Sequence, residues 1–179
     1  MIDPIRATRW GYRGLFVALA VFFTFLRILP LSTLPTAWPG PDLLLCVTLA
    51  WVLRRPEFVP PTIIALVFLT EDLVFLRPPG LWALTVLLGS EFLRTRESAM
   101  RGLPFLGEWA VVGVVMVTMM LIYRIVLSVF VVPQGSLGFA LLQVLSSLVA
   151  YPVVVAVTRF GFGLRRPVAG ELDALGHRL

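Results

Sequence analysis

The 179 residues of this chain are 59% hydrophobic and only 14% charged, and the mean hydropathy is +0.94. Ordinary soluble domains carry about 25% charged residues, and one core of this size could not bury so much apolar surface. The composition therefore excludes a soluble enzyme and indicates a single membrane domain. A net charge of +5 would suit nucleic acid, but the arginines sit in short clusters between apolar runs, which is typical of cytoplasmic loops.

Six apolar runs, separated by short segments rich in proline, glycine and arginine, predict an all-α protein. We expect a polytopic membrane helical bundle of about six transmembrane helices, which form one domain over residues 1–161. The predicted spans are 14–31, 42–53, 60–76, 81–93, 103–132 and 137–160. The first run has no small-residue cleavage site after it and is interpreted as a retained span. Residues 162–179 are expected to form a short cytoplasmic tail.

The arginines indicate the orientation of the bundle. Twelve of the fifteen lie in the N-terminal segment, at 54–55, within 94–101 and from 159 onward, whereas the alternate loops hold only Arg77. Cytoplasmic loops carry the excess of basic residues in membrane proteins. This asymmetry predicts a multi-pass protein of the inner (cytoplasmic) membrane with both termini in the cytoplasm.

Spans two and four are too short to cross a bilayer unaided. A dozen residues of α-helix cover about 18 Å of a hydrocarbon core that is about 30 Å thick. Both deficits can be placed at the outer ends, beside the loops 30–41 and 77–80, and irregular backbone at that depth needs cover from protein or a wet cavity. We therefore expect an outward-facing depression, with local thinning of the bilayer as the alternative for either helix alone.

Charged residues inside the predicted spans form a cluster in the outer half of the bundle. Its members are Arg27, Glu71, Asp72 and Arg124, and a charge at mid-helix costs about 2.5–3.5 kcal/mol. The cluster is either a structural group of ion pairs joining spans one, three and five, or a site for a polar partner. Glu71 and Asp72 point about 100° apart on a helix, so they must address different partners. We expect Asp72 to pair with Arg27 or Arg124.

Two further acids lie beside the arginine-rich segment 94–101 on the predicted cytoplasmic side. Glu91 precedes this segment and Glu108 follows it, close to the start of the next span. Polar groups at this depth can reach the headgroup layer, and we expect both carboxylates to lie at the membrane interface.

No residue pattern in the sequence indicates catalysis. His177 is the only histidine and Cys46 the only cysteine, no metal-ligand spacing is found, and no GxSxG or phosphate-binding loop occurs. We therefore expect no enzymatic activity, no metal and no cofactor. Met116, Met119 and Met120 lie at helical spacing in span five and are interpreted as lipid-facing or helix-packing residues.

The stretch 72–84 resembles the signature of MreD, the rod shape-determining membrane protein family of bacteria. In that family an acid that ends an apolar helix is followed by a short loop with proline, glycine and then alanine. In this chain those places are taken by Asp72, Pro78, Gly80 and Ala83. The start of span two at Asp42 is also similar to the family, as are the length, the number of spans and the small tail. The family often has glycine shortly before the acid, where this chain has Leu-Thr-Glu at 69–71.

The resemblance implies a non-enzymatic inner-membrane scaffold of the bacterial elongation machinery, which supports lateral peptidoglycan synthesis and rod shape. Family members bind MreC, a single-span protein with a large periplasmic part. Through MreC they connect to the peptidoglycan synthase RodA, its penicillin-binding transpeptidase and the cytoskeletal protein MreB. We expect the direct partner, MreC, to lie near Trp38, Pro79 and Trp82, close to the outward depression.

The family is also distantly similar to the S-components of ECF transporters. The alternative function is therefore a small-molecule-binding membrane subunit of an ECF-type transporter. The two functions predict different surfaces. A transporter subunit needs an outward pocket lined by convergent polar groups, whereas a scaffold needs an apolar groove on its flank.

Overall fold

The protein is all-helical in a computed structural model that describes residues 4–29, 39–100 and 102–161. Its helices are α1 (Pro4–Ile28), α2 (Leu43–Arg54), α3 (Pro61–Val74), α4 (Leu81–Thr95), α5 (Glu97–Met100), α6 (Phe105–Val129) and α7 (Leu137–Gly161). A 3-10 turn, Pro56–Phe58, joins α2 to α3. No strand occurs within the described ranges. The prediction of an all-α bundle is confirmed, while the tail 162–179 lies outside the described residues.

Helix length divides the bundle into two groups. Within the described residues, three helices are long and apolar enough to cross a membrane, namely the 21-residue part of α1 from Thr8 to Ile28 and the 25-residue helices α6 and α7. The apolar helix α2 has only 12 residues, and α3 and α4 have 14 and 15. We expected the second and fourth helices to be short. The third is shorter than the predicted 60–76, because the chain leaves the helix at Phe75.

The helix termini gather at two ends of the bundle, which we name after one arginine each. The Arg77 end holds the C-terminal ends of α1, α3 and α6 and the loops at 39–42, 75–80 and 130–136. The Arg94 end holds the C-terminal ends of α2 and α4 and the segments at 55–60 and 96–104. Here Arg94 donates hydrogen bonds of 2.8 and 2.7 Å to the carbonyls of Pro56 and Val59. These bonds fix the end of α4 against the connection between α2 and α3.

The shortest of the six main helices, α2, lies at the centre of the bundle. Every residue from Leu44 to Arg54 is buried, which is expected of a helix that is apolar on all sides. It contacts α1, α4 and α7, and the ring of Trp51 packs against those of Tyr12 and Phe16. Because α2 is short, its N-terminus lies beside the middle of α7, where the backbone N–H of Asp42 donates to Ser147 Oγ at 2.8 Å. Space is therefore left beyond α2 at the Arg77 end.

Close packing between α4 and α6 depends on a glycine opposite methionine. A Cβ atom added to Gly89 would lie 3.3 Å from Val115 Cγ1 and closer still to the sulfur of Met119. Met116, Met119 and Met120 are all buried. Of the two interpretations of these methionines, the structure supports helix packing over contact with lipid.

Two helices end by reversing the chain sharply at the Arg77 end. The N–H of Arg77 donates to the Asp72 carbonyl at 2.9 Å, and that of Val132 donates to the Leu127 carbonyl at 3.0 Å. The residue before each donor, Leu76 or Val131, has a left-handed φ of 51° or 54°. This is the geometry of a Schellman end without its usual glycine. It directs the chain after α3 and the chain after α6 back over the end of the bundle.

Candidate functional site

A first network of charged side chains joins four elements at the Arg77 end. Arg27 Nη1 lies 3.1 Å from Glu71 Oε1 and 3.4 Å from Asp42 Oδ2. Asp42 also caps α2, since its Oδ1 accepts the N–H of Leu45 at 3.0 Å. The serine hydroxyl of α7 that accepts the Asp42 N–H completes what we call the Arg27 network: Arg27, Asp42, Glu71 and Ser147. The network ties α1, α3 and α7 to the start of the central helix.

Asp72 forms no ion pair with an arginine among the described residues, so the prediction that it pairs with Arg27 or Arg124 was wrong. Its Oδ2 accepts the backbone N–H groups of Gly80 at 3.0 Å and Ala83 at 3.2 Å. These belong to the first turn of α4, where N–H groups have no partner within the helix and the helix dipole favours an anion. Gly80 is the N-cap of α4 with φ of 86°, and it has no side chain that could perform this role. The acid at the end of α3 thus caps the next helix.

The predicted cluster of four therefore separates into three groups. Only Arg27 and Glu71 share a network. Arg124 donates to the carbonyl of Gly135 at 3.1 Å, because the chain that leaves α6 folds back beside that helix. Glu71 and Asp72 do address different partners, as their angular separation on α3 required.

A second buried network lies near the Arg94 end, and the sequence interpretation missed it. Arg54 forms two contacts with the carboxylate of Glu108, at 2.9 and 3.4 Å, and the hydroxyl of Tyr151 donates to the same carboxylate at 2.7 Å. Only 1% of Glu108 is exposed, so its prediction as an interfacial residue was wrong. The reason is the central position of α2, which carries Arg54 into the interior instead of a loop. The sequence held one signal for this pair: Arg54 follows span two and Glu108 lies near the start of span five, so opposite charges were predicted on the same side of the membrane.

The Arg77 end contains a cavity of about 310 Å³. Its walls come from α2, α4, α6, α7 and the loop at 133–135. Two guanidinium groups, those of Arg77 and Arg124, line it together with Trp82, Tyr123 and Gln143. The cavity occupies the space left by the short helix α2, at the end where short spans predicted a depression. The wall formed by 133–135 was not predicted, since the sequence places this segment only between the spans 103–132 and 137–160.

A groove of about 540 Å³ runs along the flank of the bundle between α1 and α3. Its lining is almost entirely apolar and includes Val21, Phe25 and Leu66, with Thr70 and Glu71 towards the Arg77 end. One carboxylate oxygen of Glu71 contacts Arg27, while the other, Oε2, is buried and has no hydrogen-bond partner among the described residues. The groove therefore combines apolar walls with a polar atom that can accept a hydrogen bond.

The three residues expected near a partner fall in different places. Pro79 is exposed in the loop before α4, and Trp82 is half-buried in the wall of the cavity, in edge-to-face contact with Tyr123. Trp38 lies outside the described residues. Within the part of the chain that the structure describes, no three His, Cys, Asp or Glu residues are grouped as metal ligands would be.

The fold defines a class, a helical bundle of transmembrane character with buried ion pairs. Comparison with known proteins adds no relative: no family model, no curated protein and no solved structure matches this chain.

Proposed function

We propose that the protein is a non-enzymatic scaffold subunit of the bacterial elongation machinery, similar to MreD, which binds MreC in the inner membrane. In this role it supports lateral peptidoglycan synthesis and rod shape. RodA, its penicillin-binding transpeptidase and MreB are reached through MreC. The resemblance is carried by the stretch 72–84 and by Asp42.

The observation that carries the proposal is the turn between α3 and α4. The acid of the resembling motif is hydrogen-bonded to both its glycine and its alanine, because the Asp72 carboxylate accepts the N–H groups of Gly80 and Ala83. Pro78 lies within the same turn, and its carbonyl accepts the N–H of Leu81 at 3.2 Å. The motif positions thus form one structural unit, and Asp42 performs the same capping role for α2. A shared structural reason for these residues supports the resemblance.

A scaffold for a single-span partner needs helix surface within the membrane, and the groove between α1 and α3 provides it. Lipid gives little hydrophobic drive for helix association, so packing and a few polar contacts must supply the affinity. The exposed hydroxyl of Thr70, which lines the groove, offers such a contact to a hydroxyl or amide of a partner helix. We infer that the MreC span lies in this groove and leaves the membrane beside Pro79.

A photo-crosslinking experiment tests this arrangement. A photoreactive residue at Val21, Leu66 or Pro79 is expected to capture MreC in membranes where the two proteins copurify. The matched control is Val149, which is exposed on α7 away from the groove and should capture no MreC. Capture of lipid alone at the three test positions, in a preparation that still contains MreC, would contradict the scaffold proposal.

The proposed orientation has six spans and both termini in the cytoplasm. It is supported by the arginines and places the Arg77 end outside. A membrane-impermeant thiol reagent should label cysteines placed at Thr36 and Ser136 in intact cells, in a background where Cys46 is alanine. Cysteines at Ser98 and Gly170 should react only after the membrane is opened. Labelling of a cysteine at Ser98 from outside would contradict the proposed orientation.

The cavity is the observation that favours the second candidate, a small-molecule-binding subunit of an ECF-type transporter. Its polar lining converges from four helices, as such a subunit requires. Copurification separates the two candidates, since a transporter subunit would be isolated with ATPase subunits and a scaffold with MreC.

A further inference from the structure

Two guanidinium groups line the cavity at the Arg77 end, one on the turn between α3 and α4 and one on α6. Arg77 and Arg124 both line it, and neither forms an ion pair with a carboxylate among the described residues. Asp42 lines the cavity as well, but its carboxylate is already bound to Arg27 and to the N–H of Leu45. A guanidinium that lacks a carboxylate partner favours a bound anion, so an anion is the expected occupant. We propose that the cavity binds the phosphate headgroup of an anionic glycerophospholipid.

The hydrogen-bonding groups of the cavity fit a phosphate that carries a hydroxylated headgroup. Arg124 uses one N–H for the carbonyl of Gly135, and a guanidinium has five N–H groups. The indole N–H of Trp82 is buried and has no partner among the described residues. Gln134 donates through Nε2 to the Arg124 carbonyl and the Ser128 hydroxyl, whereas its Oε1 is buried and accepts no bond in the described part. The site therefore offers donors to a phosphate and an acceptor to a hydroxyl group.

Size and surroundings favour a lipid over a soluble phosphate. At about 310 Å³ the cavity is at the lower limit for small-molecule pockets, which suits a headgroup. Arg124 also lines a second, shallow groove of about 500 Å³ between α6 and the start of α7. The other walls of that groove include the exposed apolar side chains of Leu121, Ile125 and Val129. A lipid with its phosphate at Arg124 would thus find an apolar surface for its chain directly outside the cavity.

Native mass spectrometry of the purified full chain in detergent tests the proposal. Phosphatidylglycerol is titrated against phosphatidylcholine, which has the same phosphate but no net charge and no headgroup hydroxyl. The expected result is one retained phosphatidylglycerol with about tenfold preference, since both lipids offer the phosphate but only phosphatidylcholine brings a trimethylammonium charge beside the two guanidinium groups. Arg77→Gln combined with Arg124→Gln should abolish the preference. The control Arg55→Gln, at the opposite end, should leave it unchanged.

A milder variant keeps the test valid if the double arginine variant does not fold. Trp82→Phe keeps the aromatic ring but removes the indole N–H, and it should weaken phosphatidylglycerol binding about tenfold or more, as loss of one bond to a charged group predicts. Phosphatidylmethanol has the charge of phosphatidylglycerol without its hydroxyl groups. It should bind several-fold more weakly to the wild type, and Gln134→Leu should remove this difference.

A lipid phosphate and a soluble phosphate give different results in this experiment. Displacement of phosphatidylglycerol only by other anionic lipids supports the proposal. Saturable binding of glycerol 3-phosphate with no preference among lipids would overturn it and assign the cavity to a soluble ligand. Equal retention of phosphatidylglycerol and phosphatidylcholine would also overturn it. None of these results depends on MreC, so the scaffold proposal is tested separately.

Discussion

Replacing Glu108 by leucine is expected to destabilise the protein by about 3–5 kcal/mol, because the substitution leaves the buried guanidinium of Arg54 without its counterion. The side chains of Arg54 and Glu108 are only 7% and 2% exposed. The hydroxyl of Tyr151 loses its acceptor in the same variant. The free energy of unfolding in detergent micelles, from a denaturant titration, measures the loss.

The double variant Arg54→Leu with Glu108→Leu separates pairing from packing. Removing both charges should recover most of the stability, since the cost comes from an unpaired charge and not from the absence of the pair. Glu57→Leu is the matched control: its ion pair with Arg55 is 35% exposed on both sides and should contribute no more than about 1 kcal/mol. If the two single losses simply add in the double variant, Arg54 and Glu108 are not coupled.

The positions of the helices were readable from the sequence because apolar runs and their stop residues act locally. The turn at 77–80 leads into α4 through proline and a left-handed glycine, and these preferences do not depend on the rest of the fold. The second span was predicted to begin at residue 42, directly before the first residue of α2 in the structure. Asp42 is indeed its N-cap.

The partners of the charged residues were not readable, because they depend on how deep each helix lies and how it is rotated. The sequence required Glu71 and Asp72 to point in different directions, but it did not say which of them faces α1. Arg54 and Glu108 were assigned to a loop and to the interface from their places in the chain. The central position of α2 buries both, and this is a property of the whole bundle.

The cavity, too, was predictable in part: its position follows from the sequence, but its chemistry does not. The shortness of α2 follows from counting residues, and it predicted a depression at that end of the bundle. The chemistry of the cavity, however, comes from Arg77 on the α3–α4 turn, from Arg124 on α6, and from Gln134 in the loop that folds back after α6. The path of this loop depends on Val131 in a left-handed conformation, which is unfavourable for a β-branched residue.

Replacing Asp72 by alanine is expected to destabilise the protein by about 2–4 kcal/mol, since two buried N–H groups at the start of α4 lose a charged acceptor. Asp72→Asn keeps one carbonyl oxygen and should cost about 1 kcal/mol. Thr70→Ala, two residues earlier on the exposed side of α3, is the control and should have almost no effect.

Unfolding free energies rank the three variants, and amide hydrogen exchange identifies the cause. If Asp72 caps α4, exchange in Asp72→Ala should increase most at Gly80 and Ala83, whose N–H groups it accepts. Uniformly faster exchange along α3 and α4 would instead mean that Asp72 stabilises the bundle by packing alone.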